Sequence, residues 1–324
     1  MKFLRIVLPL LIVCISYHPA HCWGFWAHKK INYYACFLLP PQMMKLYKPN
    51  IDFLAEHSTD PDKRRYAVKD EGPRHYIDLN DYGPYPYDSL PRTWNAAVEK
   101  FGEEEVKSHG IVPWHIQVML SRLTYAFKDK NFSQIMKYSA EIGHYIADSH
   151  VPLHASNNHN GEKTNQKGIH GFWESRIPEL LAEKNFNFFV GKAKYLKDPL
   201  GYTWERVLES GRMADSVLLF ERQLTDQFPD DQKYSFENRN GVLIRQYSSA
   251  FTIAYDKKLD GMVELRMRQS IEAIASFWFT AWVNAGQPDL SSLTKRKFSE
   301  AEIKEFEDLN KTWNNGGKMI GRDE

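Results

Sequence analysis

Two histidine–carboxylate pairs of identical spacing flank a lone histidine between Glu141 and Glu174. His144 and Asp148 are four residues apart, so a helix projects both from one face, one turn above the other. Pro152 cannot continue that helix as an interior residue, and His154 falls just past the break. A polar loop of Asn, Gly and Lys follows, and then His170 and Glu174 repeat the four-residue spacing. Imidazole nitrogens and carboxylate oxygens at this density are the donor set of a zinc site. Such a site takes four protein donors at a structural ion and fewer, plus water, at a catalytic one.

Three further places offer donors. Trp23 precedes His28 by five residues, about one helical turn. Were the chain cut before Trp23, its α-amino group, with a pKa of about 7.7–8.0, could lose a proton and bind metal. Asp60 and His75 bracket a basic run containing Lys63, Arg64 and Arg65, and Asp78 follows His75 by three. His150 lies two residues off the His144/Asp148 face and reads as a surface or supporting residue. His57, His109, His115 and His159 match no part of the pattern.

The chain opens with Lys2, Arg5 and an apolar run from Ile6 to Ile15, then a polar tail with Ala20 and Cys22. This has the layout of a secretory signal peptide, residues 1–22, cut before Trp23. The run is too short to span a hydrocarbon core of roughly 30 Å, so no transmembrane anchor is expected. Export to a periplasmic or extracellular space follows. The mature chain would hold 324 − 22 = 302 residues, enough for one large domain or two small ones. Cys14 and Cys22 leave with the leader, and Cys36 stands alone. An exported chain with one thiol has no internal disulfide and must draw its stability from burial and metal. The 42 basic and 41 acidic residues give no support to a broadly basic nucleic-acid surface. An anionic substrate must therefore be held by local charges or by metal.

Helical periodicity dominates the chain that must position these residues. Helices are expected over Gly24–Leu39, Gln42–Glu56, Thr93–Phe101, Trp114–Lys128, Phe132–Asp148, Glu174–Lys184, Thr203–Gln227, Tyr247–Leu259 and Met262–Ala285. The last is apolar on most faces and reads as central to the core. His57 to Pro91, rich in Pro, Gly, Asp and Tyr, reads as an ordered irregular segment. No run of residues reads as a strand. The expectation is an all-α fold, one compact multi-helix domain over 23–288. A polar C-terminal extension follows over 289–324, read as a solvated appendage with a short helix capped by Ser299 and Glu302.

The ordered set of donors resembles the zinc-dependent phosphodiesterase superfamily that joins secreted fungal single-strand nucleases and 3′-nucleotidases to bacterial zinc phospholipases C. That family binds three zinc ions through an N-terminal Trp, a His five residues on, an Asp and a His fifteen apart, a His-x3-Asp-x5-His helix motif and a later His-x3-Asp/Glu. Here these correspond to Trp23 and His28, Asp60 and His75, His144, Asp148 and His154, and His170 and Glu174. The resemblance covers roughly residues 23–180. It implies one zinc on Asp60, His75, His144 and Asp148, and a second on Trp23, His28 and the other oxygen of Asp148. His154, His170 and Glu174 would hold the third, with room for water and substrate.

The fold implied is the helical phospholipase C/single-strand nuclease type with a trinuclear zinc cleft. The reaction implied is hydrolysis of a phosphate ester, with zinc-bound hydroxide attacking phosphorus in line. Asp78 would orient the attacking water or a ligand histidine, and Lys63 or Arg64 would hold a non-bridging phosphate oxygen. Lys63 stands where the nucleases usually carry Arg, and offers a point charge in place of a bidentate fork. Trp26 stands where the phospholipases place a choline-contacting Glu, which favours nucleic acid or nucleotide as substrate. Glu174 and the missing disulfides favour phospholipid. The nuclease or nucleotidase reading leads, with phospholipase C as the alternative and a non-catalytic zinc-binding or surface-binding protein as the reading from another class. No stable protein partner is implied.

Overall fold

The structure, a computed structural model, describes residues 24–239, 241–315 and 319–320. The leader 1–22 and the proposed ligand Trp23 lie outside the described residues. Within them the chain is mostly helical. It begins with α1 (Phe25–Ala35), α2 (Pro41–Tyr47), α3 (Ile51–Glu56) and the short α4 (Asp60–Arg64). After the irregular segment come α5 (Trp94–Phe101), α6 (Glu103–Ser108), α7 (Val112–Lys128) and α8 (Phe132–Ser149). A single turn, α9 (Ile169–Gly171), runs through a wider turn over Phe172–Arg176 into α10 (Ile177–Asn185). The remainder is α11 (Pro199–Thr225), strands β1 (Tyr234–Arg239) and β2 (Val242–Tyr247), α12 (Ser249–Lys258), α13 (Met262–Asn284) and α14 (Glu300–Asn314). Among the described residues no helix is long and apolar enough to cross a membrane.

Helix starts follow side-chain chemistry. The Asn131 carboxamide oxygen accepts from Gln134 N at the head of α8, Asp198 from Gly201 N at α11, and Ser248 from Phe251 N at α12. Each satisfies a backbone donor that the helix itself leaves open. The capping box expected at Ser299 and Glu302 heads α14.

The core forms where α13 and α1 lie against α8. Trp278 of α13 is fully buried and its Nε1 donates to the Ser139 carbonyl of α8 at 2.9 Å. Helices α1 and α8 approach closely at Gly143, where an added Cβ would fall 2.1 Å from Asn32 Oδ1. Asn32 Nδ2 in turn donates to the Ala140 carbonyl of α8 at 3.1 Å and to the Leu54 carbonyl of α3 at 3.0 Å. A buried amide thus fixes three helices together, and only glycine lets α8 come that near.

Two expectations are corrected. The mostly helical fold is compatible with the all-α expectation, but one run that does not read as strand forms a hairpin: β1 and β2 pair antiparallel, with Tyr234 opposite Tyr247 and Phe236 opposite Arg245. Arg176 holds it to the body through Glu237 and the Tyr247 carbonyl. The Asn-Gly at 240–241 between two aromatic-rich runs is a hairpin signal that helical periodicity on both sides obscured. The C-terminal extension is likewise no solvated appendage. Phe298 stacks on Phe53 at 4.3 Å between ring centroids, Phe306 packs on Phe53 and His57, and Lys137 pairs with Glu305 at 2.5 Å. Trp313 reaches Phe25, and the Ile320 amide donates to the Arg65 carbonyl. Ile303, Phe306, Leu309 and Trp313 form an apolar stripe at helical spacing that the overall polarity of the tail conceals.

Candidate metal centre

Helix α8 presents His144 and Asp148 on one buried face, as their spacing requires. Asp62, on α4, and His75, in the irregular segment, lie beside them. The donors are His144 Nε2, Asp148 Oδ2, His75 Nδ1 and Asp62 Oδ1. His75 Nδ1 lies 3.0 Å from Asp148 Oδ2, 3.0 Å from His144 Nε2 and 3.7 Å from Asp62 Oδ1. His144 Nε2 lies 3.2 Å from Asp148 Oδ2 and 3.5 Å from Asp62 Oδ1. An ion with tetrahedral bonds of about 2.0–2.1 Å requires donor separations of roughly 3.3–3.4 Å. The five separations bracket that value, while Asp62 and Asp148 fall in two different sets of mutually close donors that share His144.

Two more groups adjoin this cluster. Asp148 Oδ1, the oxygen turned away from it, lies 3.4 Å from His28 Nε2 on α1, and the His28 ring stacks on His144 with centroids 4.0 Å apart. One carboxylate thus faces two donor sets. In the third group Glu174 Oε2 lies 3.1 Å from His170 Nε2 and 3.5 Å from His154 Nε2. Asp62, His75 and His144 form one buried group that could hold a metal ion, His28, His144 and Asp148 a second, and His154, His170 and Glu174 a third.

Backbone carbonyls settle which ring nitrogens are available. His144 Nδ1 donates to the Ser58 carbonyl at 2.8 Å and His154 Nδ1 to the His75 carbonyl at 2.7 Å. Both rings are thereby left with Nε2 facing the donor groups. His150 Nδ1 donates to the Ile146 carbonyl of its own helix, and the ring belongs to none of the three groups. Asn160 Oδ1 accepts from the amides of Gly168 and His170, which ties the polar loop to the start of α9.

The donors fit a cation on electrostatic grounds as well. Among the described residues His28 Nδ1, both Asp62 oxygens, Asp148 Oδ1 and His154 Nε2 are buried without a hydrogen bond. Buried polar atoms are rarely left so unless something else binds them. Burial pushes the Asp148 carboxyl up, yet His144 and His154 beside it hold it well below the usual carboxylate range. Asp62 is lowered in the same way, against its burial, by His144 and His75. Burial pushes His144 down, and Asp148 with Asp62 reverse this so that it keeps its proton. His28 is lowered by burial and by His144. Two carboxylates converge on one position that calls for positive charge, which a metal ion would supply in place of that proton.

Several residues singled out in the sequence lie elsewhere. Asp60 is not in the cluster: its Oδ2 pairs with His57 Nδ1 at 2.7 Å and its Oδ1 with Lys63 Nζ at 2.9 Å. Its contacts with His57 and Lys63 hold its carboxyl low despite burial. Asp62 takes the place in the cluster. Two residues of helix rotate a side chain by about 200°, so Asp60 and Asp62 cannot face the same way on α4. Spacing alone favoured the wrong member of Asp-Pro-Asp. Lys63 is buried against Asp60, and so is not placed to meet a phosphate. Arg64 is bound to Glu141, Glu71 and Tyr145. Asp78 groups with Asp81 and His109, outside the three buried sets, and its amide donates to the His109 carbonyl at 2.7 Å.

One supporting residue escaped the sequence reading. Glu71 is fully buried, accepts from the Tyr145 hydroxyl and from Arg74 at 2.7 Å, and lies 3.6 Å from His75 Nε2. A carboxylate behind the far nitrogen of a ligand imidazole orients the ring and fixes its tautomer. Glu71 sits four before His75, a spacing whose meaning depends on the irregular turn between them.

Comparison with models of known protein families and with curated proteins finds no match to this chain.

Proposed function

We propose that the chain is an exported zinc-dependent hydrolase of phosphate esters, acting on nucleic acid or nucleotides. The observation that carries this reading is the buried cluster of Asp62, His75, His144 and Asp148, in which Asp148 also faces His28. Zinc is the ion that an all-imidazole-and-carboxylate tetrahedral donor set suits best among common metals. Bound there, the ions would supply Lewis acidity at neutral pH and charge to match a phosphate.

The chain's own residues prepare that chemistry. Asp148 sets the separation of the first two groups by offering one oxygen to each. The Ser58 and His75 carbonyls hold His144 and His154 as single tautomers. The surrounding helices bury every donor and keep bulk water off them, which strengthens their hold on charge. His154, His170 and Glu174 contribute three protein donors, the number of a catalytic rather than a structural site. This also weighs against a purely metal-storing or surface-binding protein. Lys63 and Arg64 are engaged elsewhere, so phosphate charge would be met chiefly by the metal.

The test is release of acid-soluble nucleotide from single-stranded DNA, set beside release of diacylglycerol from lecithin vesicles. Each is run with zinc, with chelator, and with zinc restored. Zinc-dependent DNA cleavage supports the proposal, and turnover of neither substrate with zinc bound overturns it. A phospholipase is the second reading, favoured by Glu174 in the third group, and diacylglycerol release would select it.

A further inference from the structure

Between residues 184 and 197 the chain carries four lysines and no acidic residue, although the whole protein is close to neutral. The stretch leaves α10 and runs to α11 without helix or strand of its own. It is nonetheless pinned to the body. Ala193 N donates to the Leu38 carbonyl at 3.0 Å, Lys194 N to Ser276 Oγ at 3.1 Å and Leu196 N to Thr280 Oγ1 at 2.9 Å. Its aromatic residues and those at the end of α1 line an open groove of about 890 Å³. Phe189 is 92% exposed and Phe37 is 45% exposed, so a rigid frame holds large apolar side chains out in water. A contiguous patch of this kind marks a surface that something covers.

Charge and ring geometry select the occupant. Lys194 pairs with Glu272 at 2.5 Å, but Lys184, Lys192 and Lys197 have no ion-pair partner among the described residues. Nearby acids are already engaged: Glu183, which lines the groove, by Lys30, Glu264 by the Asn187 amide, and Asp198 by the Gly201 amide. The groove's rings pack on each other, Tyr34 stacked on Phe188 at 4.8 Å and Tyr33 against Phe37 at 5.4 Å. They form a trough with mutual contacts rather than a row of open faces on which bases could stack. Protruding apolar side chains, with unpaired Lys184 and Lys192 next in the chain to the lining residues Glu183 and Gly191, match the boundary of a bilayer with anionic headgroups.

We propose that this groove, with the lysines that flank it in the chain, docks the protein on an anionic phospholipid surface, with Phe189 and Phe37 entering the headgroup–acyl boundary. Docking there does not depend on which ester the metal centre cleaves. It does place that centre near the membrane. Phe37 lies nine residues beyond His28, roughly 14 Å of helix axis along and just past α1. Phe186 lies beyond Glu174 at the far end of α10.

The test is co-sedimentation of the purified protein with vesicles of phosphatidylcholine, with or without phosphatidylglycerol. It compares the parent with Phe37→Ser/Phe189→Ser and with Lys184→Glu/Lys192→Glu. The parent should pellet with the anionic vesicles and be released by salt. Each lysine removed should weaken binding by about fivefold, and loss of the two phenylalanines by at least about tenfold. Absence of parent binding to anionic vesicles, or variants that bind as well as the parent, would overturn the proposal. So would unchanged vesicle binding by variants that lose affinity for a fluorescent single-stranded oligonucleotide. Metal content and turnover of a soluble chromogenic phosphodiester, measured on the same proteins, should not change. Failure of those two readouts in a parent that still binds vesicles would count against the metal centre alone.

Discussion

Replacing Arg64 with alanine separates two roles for a residue that the family resemblance would set beside a phosphate. Its Nη1 is 2.6 Å from Glu141 Oε1, its Nε 3.3 Å from Glu71 Oε2 and its Nη2 3.2 Å from the Tyr145 hydroxyl. Glu71 is fully buried and Glu141 nearly so, while the arginine side chain is 20% exposed. Removing one member of a buried pair costs about 3–5 kcal/mol, chiefly because the partner stays buried and charged. Two features reduce this. Water reaches the arginine, and Glu71 keeps Arg74 at 2.7 Å. A loss of about 2–3 kcal/mol remains, carried mostly by Glu141. With unfolding entropy of about 2.1 cal/mol/K per residue over roughly 300 residues, the melting temperature should fall by about 4 °C. Lysine should not restore it, since a point charge cannot bridge two carboxylates and a hydroxyl. Thermal denaturation followed by circular dichroism, with phosphodiester turnover on the same samples, measures both roles. An unchanged melting temperature with a KM raised tenfold would refute the structural role and reinstate Arg64 as a phosphate clamp.

Three other substitutions test separate parts of the account. Gly143→Ala drives a methyl into Asn32 where α1 crosses α8, and should cost about 1–3 kcal/mol in urea denaturation; a neutral effect would mean that the two helices are not held this tightly. Glu71→Gln should weaken zinc affinity by about 10–100-fold in a chelator competition, and unchanged affinity would remove Glu71 from behind His75. Burial, then Glu264, raises the Asp256 carboxyl to about 6, so the folded protein keeps a proton there that the unfolded chain gives up near 3.8. The penalty is absent below about pH 4 and complete above about pH 6. Because Asp256 is partly exposed, Asp256→Asn should stabilise by only about 1 kcal/mol at pH 7 and not at all at pH 4. Equal stabilisation at both values would contradict the assignment.

The parts of the site legible in the sequence are those set by local geometry. His144 with Asp148, and His170 with Glu174, share a face wherever their helices lie, because four residues make about one turn. His28 and His154 lie on other elements, so local geometry does not place them, and their ligand roles are what the family resemblance implies. Asp60 misleads for the opposite reason: which residue of Asp-Pro-Asp faces inward depends on how the turn at His57–Thr59 feeds α4, and that depends on packing. Lys63 and Arg64 read as free charges because their partners, apart from Asp60, lie 7 to 81 residues away in sequence. The hairpin and the docked α14 are hidden by composition. The strands mix charge with aromatics, and a few apolar residues among polar ones in α14 suffice to reach Phe53 and Phe25.

Anomalous diffraction at the zinc edge, from crystals of protein loaded with zinc, tests the central claim most directly. The expected result is an ion bonded at about 2.0–2.2 Å to Asp62, His75, His144 and Asp148. An ion seated instead on Asp60, or no anomalous peak among those four side chains, would contradict it.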